Sequence, residues 1–183
     1  MPRHIKLIEK GLCKKRLYKG GAVNFNVDKV LLPNRKTALR EYIDHPGAVA
    51  VLPVLPNGRI LMVRQYRYPV GEATWEIPAG KMHSRKDSPV FRANEELREE
   101  TGYTTPRMKK LISFWPCCAF SNEELHIFIA RDLRPGPAAP DEDEFLHPGE
   151  FSLKQVLAMI RSGEIKDSKT IISIQALALS LKK

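Results

Sequence analysis

Apolar and polar positions alternate along this chain with two periods, and the change from one to the other sets the order of elements. Arg16–Lys19, Ala22–Val27 and Val30–Leu32 alternate loosely, with breaks at Gly20-Gly21 and Pro33-Asn34, and Lys36–Ile43 reads as a further strand. The spacing predicts a small antiparallel meander within residues 1–44. Such a sheet is marginal alone, so it must pack on a larger domain or on a partner chain. From Ala48 the texture changes. AVAVLPVL is a nearly continuous apolar strand, Pro56-Asn57-Gly58 is a turn, and RILMVRQYR is a second strand. Asn57-Gly58 is a strong hairpin cue. Trp75–Ile77 gives a short strand, and Pro78-Ala79-Gly80 opens a loop.

The helical period begins after that loop. Ser88 is placed as an N-cap with Pro89 in the first turn, Gly102 as the stop, and Val90, Ala93 and Leu97 as the apolar stripe. Met108–Phe114 and Leu125–Leu133 read as strands flanking a turn-rich stretch, WPCCAFSNEE. Arg134–Pro140 is too rich in proline for regular structure, and Phe145-Leu146 starts another short strand. Ser152 caps a helix running through Arg161, and Asp167 or Ser168 caps a last, largely apolar one. The expected fold of residues 45–183 is an α/β sandwich, a mixed sheet with three helices.

Composition narrows the class. At 183 residues, with 43% apolar and 28% charged positions, the chain reads as a soluble globular protein with a sizeable core. No apolar run is long enough to span a bilayer, and the basic N-terminus lacks the apolar stretch of a secretory signal. Much of the net charge of +9 sits between Lys6 and Lys19. That run lacks the aromatic–basic interleaving of an RNA-binding module, so it reads as a solvated basic edge that favours anionic substrates over nucleic acid. Cys13, Cys117 and Cys118 make no disulfide framework and no zinc spacing, which points to a reducing cytoplasm.

The candidate chemistry lies at the end of the first helix. Glu96, Glu99 and Glu100 share a face there, with Glu95 beside them. Like charges at these spacings repel, and a hard divalent cation would turn the repulsion into coordination. A solvated acidic face is the competing explanation. A second acidic cluster, Asp141-Glu142-Asp143-Glu144, follows the Pro-rich stretch.

The segment from Gly80 to Tyr103 resembles the signature of the Nudix hydrolases, G-x5-E-x7-R-E-U-x-E-E-x-G-U, where U is bulky and apolar. Glu96, Leu97, Glu99, Glu100 and Gly102 fall on its positions. Glu95 stands where the family has Arg, Asp87 stands where it has the first Glu, and the loop carries one extra residue. Arg92 or Arg98, each three residues from Glu95, could supply the missing cation. HPGAVAVLPV, RILMVRQYRYPVG, WEIPAGK, DEDEF and SLKQVLAMIRSGEIKDSKTI resemble the branch of ADP-ribose pyrophosphatases and nucleoside-diphosphate-sugar hydrolases.

That resemblance implies a Nudix α/β/α sandwich and a homodimer whose N-terminal meander crosses to the partner. It implies Mg²⁺ or Mn²⁺ held by the Ala79 carbonyl, Glu96 and Glu100, with Glu99 assisting a further ion. Glu142 matches a loop glutamate that activates water, and Glu144 a supporting one. Arg67 matches a phosphate-binding position, Arg40 one that reaches a partner's substrate, and Glu123 a substrate-side or metal-side glutamate. Cys118 and Ala119 replace the Pro and Gly that ADP-ribose-specific members carry. Three activities follow as expectations. The first is hydrolysis of ADP-ribose or another nucleoside diphosphate sugar. The second is hydrolysis of NADH or a dinucleoside polyphosphate. The third is non-catalytic ligand sensing or RNA binding.

Overall fold

One strand, β5 (Ala48–Pro53), is buried at all six positions. Successive side chains of a strand point to opposite faces, so a strand apolar throughout serves two cores at once. Ala48, Ala50 and Leu52 join Ile60, Met62, Val156, Ile174 and Leu177 on one face. Val49 and Val51 join Met82, Ala93, Leu97 and Phe128 on the other. Helix α1 (Pro89–Thr101) supplies the second core. Helices α2 (Leu153–Ser162) and α3 (Ser168–Ser180) supply the first. The layering is the expected α/β/α sandwich.

This computed structural model describes residues 7–181. Residues 1–6, where the expected meander segment and the basic run begin (Lys6 included), and residues 182–183 lie outside the described part. Next to β5 lies β10 (Leu125–Arg131), parallel to it, and β9 (Arg107–Phe114) pairs antiparallel with β10. On its other edge β5 pairs antiparallel with β8 (Ala79–Lys81). The sheet β8-β5-β10-β9 is therefore mixed. A second sheet sets β6 (Ile60–Arg67) between β7 (Glu72–Glu76) and β11 (His147–Phe151). Among the described residues no helix is long and apolar enough to cross a membrane.

The described chain divides into two compact units, residues 7–45 with Cys117–Glu123, and residues 46–116 with 124–181. The first unit holds an antiparallel sheet in which β3 (Asn24–Leu31) pairs with β1 (Lys10–Cys13), β2 (Arg16–Lys19) and β4 (Thr37–Asp44). The two strands expected over 22–32 are thus a single strand. The reason is polar burial. Asn26 and Asp28 are both buried. Asp28 accepts from the Lys15 N–H at 3.2 Å and the Tyr42 hydroxyl at 3.0 Å. Polar residues turned inward spoil the alternation that a strand reading depends on. The Pro78-Ala79-Gly80 loop also differs from expectation, since Ala79 onward forms β8.

Candidate active site

Helix α1 starts and stops where the sequence placed it. Ser88 is extended at the N-cap without a side-chain cap bond, Pro89 follows, and Gly102 closes the helix at φ 75°. Ala93 and Leu97 turn to the core, and Glu96 and Glu100 are carried under cover with them, each only 4% exposed. Glu95 and Glu99 are half-buried. Three carboxylates at a helix C-terminus also oppose the macrodipole, which favours cations there. The acidic face is therefore not the ordinary solvated kind.

Strand β8 forms the adjoining wall. The Ala79 N–H donates to Glu100 Oε2 at 3.3 Å. A Cβ on Gly80 would fall 1.6 Å from Glu96 Oε1, so only glycine lets the backbone and this carboxylate approach so closely. Ser84 and Asp87 absorb the extra loop residue. The Ser84 N–H donates to Asp87 Oδ2 at 2.6 Å, and the Asp87 N–H donates back to the Ser84 carbonyl at 3.1 Å.

Of the two arginines that could replace the missing one, Arg92 is the one at the site. Its Nη2 lies 2.5 Å from Glu96 Oε1, and its Nη1 lies 3.3 Å from Glu95 and 3.4 Å from Glu99. Arg98 is 58% exposed along its side chain and approaches Glu99 at 3.6 Å. Glu96 Oε1 is buried without an aligned hydrogen-bond donor, so its contact with Arg92 is one of charge. Burial pushes the Glu96 carboxyl up to about 7, Arg92 opposes this, and Glu99 and Glu144 add to it. Burial, then Glu96 and Glu144, push Glu100 up to about 8 against the Ala79 N–H and Lys169.

The Pro-rich tether is anchored across the end of α1. Thr104 and Arg134 exchange two backbone hydrogen bonds of 3.0 and 2.9 Å, and the Ala139 N–H donates to the Glu99 carbonyl at 3.0 Å. Gly102 has no room for a side chain, since a Cβ would meet the Gly136 carbonyl at 2.3 Å. Beyond the tether the Glu144 N–H closes a turn on the Asp141 carbonyl at 3.0 Å. Asp141 and Glu144 then line a cavity of about 220 Å³ together with Gly80, Arg92, Glu96 and Glu99. Burial and then Asp141 push the Glu144 carboxyl upward. Glu142 is exposed in the same turn.

Arg67 lies in the same unit with its fork closed on Glu76. Nε and Nη2 each donate at 2.8 Å, and Glu76 is 1% exposed. Lys169 is the second cation on Glu76. Asp167 caps α3, accepting from the Thr170 N–H and from Lys169 Nζ, both at 2.9 Å. Thr170 Oγ1 accepts the Ile77 N–H at 3.0 Å. This network ties the start of α3 to the strand leading into Ala79. Sequence reasoning did not single out Glu76 or Lys169. The available signal was a carboxylate set between the apolar Trp75 and Ile77.

Two sequence-selected residues fall in the first unit. Arg40 pairs with Glu9 at 2.5 Å and lines a cavity of about 440 Å³ with Tyr42, Cys118, Ala119 and Phe120. Glu123 lies 3.8 Å from His45 Nδ1. Arg40 and the Cys118-Ala119 substitution are thereby brought to one place. Among the described residues no three His, Cys, Asp or Glu side chains are grouped so as to hold a metal ion as they stand. The donors on α1 nevertheless suit a hard divalent cation. All are oxygens, two are buried, and one buried oxygen lacks a hydrogen-bond partner.

Comparison with known proteins identifies the family. The NUDIX domain family matches residues 44–171. An ADP-ribose pyrophosphatase of Bacillus subtilis is 40% identical over 175 residues, 94% of either chain. A methanol dehydrogenase activator of Bacillus methanolicus is 42% identical over 173 residues, 93% of either chain. A crystal structure of an ADP compounds hydrolase superposes with a TM-score of 0.82 at 17% identity, covering 95% of this chain and 94% of the other, and supports the fold. The chain belongs to the Nudix family. It is a Nudix pyrophosphohydrolase.

Proposed function

We propose that the enzyme hydrolyses the pyrophosphate of ADP-ribose or another nucleoside diphosphate sugar, releasing a nucleoside monophosphate and a sugar phosphate. The observation that carries the reading is the cavity between α1 and the 141–144 turn. Carboxylates line both of its sides, and the β8 backbone runs beside them. Glu96, Glu99, Glu100 and the Ala79 carbonyl are the groups assigned to Mg²⁺ or Mn²⁺. A divalent ion there would offset the charge of the pyrophosphate and lower the pKa of a bound water.

The remaining roles belong to this chain's own groups. Glu144, on the cavity wall with its carboxyl shifted upward by burial and Asp141, is suited to take a proton, and Glu142 is the neighbouring candidate. Arg67 contributes positive charge beside Glu100 and keeps its geometry through Glu76. Arg40 is assigned to the substrate of a partner chain, and Cys118 and Ala119 beside it leave room for a nucleoside diphosphate sugar other than ADP-ribose. The same unit exposes Leu12, Leu17, Tyr18 and Leu39, which suits its use as a dimerisation arm. All three cysteines are free, which suits the cytoplasm.

The test is monophosphate release from ADP-ribose, GDP-mannose, ADP-glucose, NADH and diadenosine polyphosphates with Mg²⁺ or Mn²⁺. Turnover of the sugar nucleotides above the others is the expected result. Preference for NADH or the polyphosphates would overturn the substrate assignment, and full activity in excess chelator would overturn the metal assignment. Light scattering on the purified protein should give twice the mass of one chain, and a monomer would sink the dimer.

A further inference from the structure

We propose that Arg92, one turn before the position where the resembling family has an arginine, is the positioning residue for the metal-binding carboxylates, and that Glu95 is its anchor. The proposal rests on Glu96, Glu99 and Glu100 being the metal-binding set.

The helix geometry makes the exchange possible. An arginine at 95 reaches Glu99 four residues on. An arginine at 92 reaches Glu96 four residues on and Glu95 three residues on, on the same face. Arg92 does both, at 2.5 and 3.3 Å, and its Nη1 also reaches Glu99 at 3.4 Å. One planar fork thus spans two carboxylates whose separation matters to a metal, and the third carboxylate holds the fork in place. A lysine could not do this, because its single ammonium has no fixed fork.

Burial argues that the position is functional. The Arg92 side chain is 15% exposed, and its Nε is buried without a hydrogen-bond partner. Buried donors are rarely left unpaired without a reason. Glu96 Oε1 likewise has no aligned donor despite the close guanidinium. The guanidinium holds the carboxylate by charge at 2.5 Å. Gly80 closes the opposite side, so Glu96 has little room to swing away when Arg92 holds it.

The reversal at 95 is then one half of a compensated pair. Restoring Arg at 95 alone would set two guanidinium groups three residues apart on one face and remove the anchor.

The experiment measures Mn²⁺ affinity by calorimetry, with turnover in parallel, on wild type, Arg92→Ala, Arg92→Lys, Glu95→Arg and the double variant Arg92→Glu/Glu95→Arg. Circular dichroism checks the fold of each. Arg92→Ala should weaken Mn²⁺ binding by about tenfold or more, the size expected for a residue that orients ligands. Arg92→Lys should recover only part of that. Glu95→Arg should lower affinity and turnover, and the double variant should return to within about threefold of wild type if the two sites couple as a pair. Unchanged or tighter Mn²⁺ binding by Arg92→Ala would make the arginine a bystander or a competitor and overturn the proposal. So would a gain from Glu95→Arg alone. Should Arg92→Ala not fold, the lysine variant and the charge swap decide by the same affinities. Wild type that fails to bind Mn²⁺ at all would sink the metal assignment and this proposal together. Wild type that binds, with Arg92→Ala unaffected, would sink the proposal alone.

Discussion

Glu76 and Glu100 are both carboxylates shut away from water, 1% and 4% exposed. Their protonation is pushed in opposite directions. Burial raises both, but at Glu76 the Arg67 fork and Lys169 more than reverse it and hold the carboxyl below its ordinary value. At Glu100 burial, with Glu96 and Glu144, outweighs the Ala79 N–H and Lys169, and the group rises to about 8. A buried charge is tolerated when paired and is costly when it is not. Glu76 is thus paired in a structural ion cluster, whereas no comparable pairing offsets the burial of Glu100. Burial alone would not have told them apart.

Substitutions can break this contrast. Glu100→Gln should lower turnover by about 10³-fold, the scale of losing a main electrostatic contributor at the reacting centre, while the fold survives. A near-normal rate would place the metal elsewhere. Glu76→Gln should act first on stability. It leaves Arg67 and Lys169 facing a neutral amide and should cost about 3 kcal/mol in urea unfolding. An unchanged midpoint would mean that the cluster is not structural. Glu144→Gln should reduce turnover by about 10²-fold with Mn²⁺ affinity little changed, as for a group that moves a proton. If Glu142→Gln gives that signature and Glu144→Gln does not, the base is Glu142.

The pH dependence sharpens the same contrast. Glu76, held below 4.5, contributes stability that is full above about 4.5 and is lost as the pH falls through its folded value. Glu96 and Glu100, raised to about 7 and about 8, do the opposite. Their charged forms are disfavoured in the fold, so metal-free protein should lose stability from about pH 4.5 to about 8. Added Mg²⁺ should therefore raise Tm more at pH 8 than at pH 6 in thermal scans. An equal rise at both values would separate these carboxylates from metal binding.

Much of this arrangement was legible in the sequence. The caps of α1, the fully apolar β5 and the Ser152 cap of α2 are set by local chemistry, and local chemistry can be read. The branch pattern also led to the acidic turn across the cavity. The first unit was read less well. β1 is exposed at all four positions and offers no alternation, and β3 hides Asp28 where an apolar residue is expected. Glu76 and Lys169 meet across 93 positions of sequence, and no local rule connects them. The choice between Arg92 and Arg98 was similarly open. Both lie three residues from Glu95, and only the rotation of α1 against the sheet puts one inward and the other in water.

The double service of β5 bears on how the larger unit comes apart. Neither layer of helices has a core of its own, because each borrows alternate side chains of one strand. Detaching α1 would bare one face of that strand, and detaching α2 and α3 would bare the other. The 46–116 and 124–181 unit should therefore melt in one cooperative step, and the amides of β5 should exchange with solvent only through that global opening.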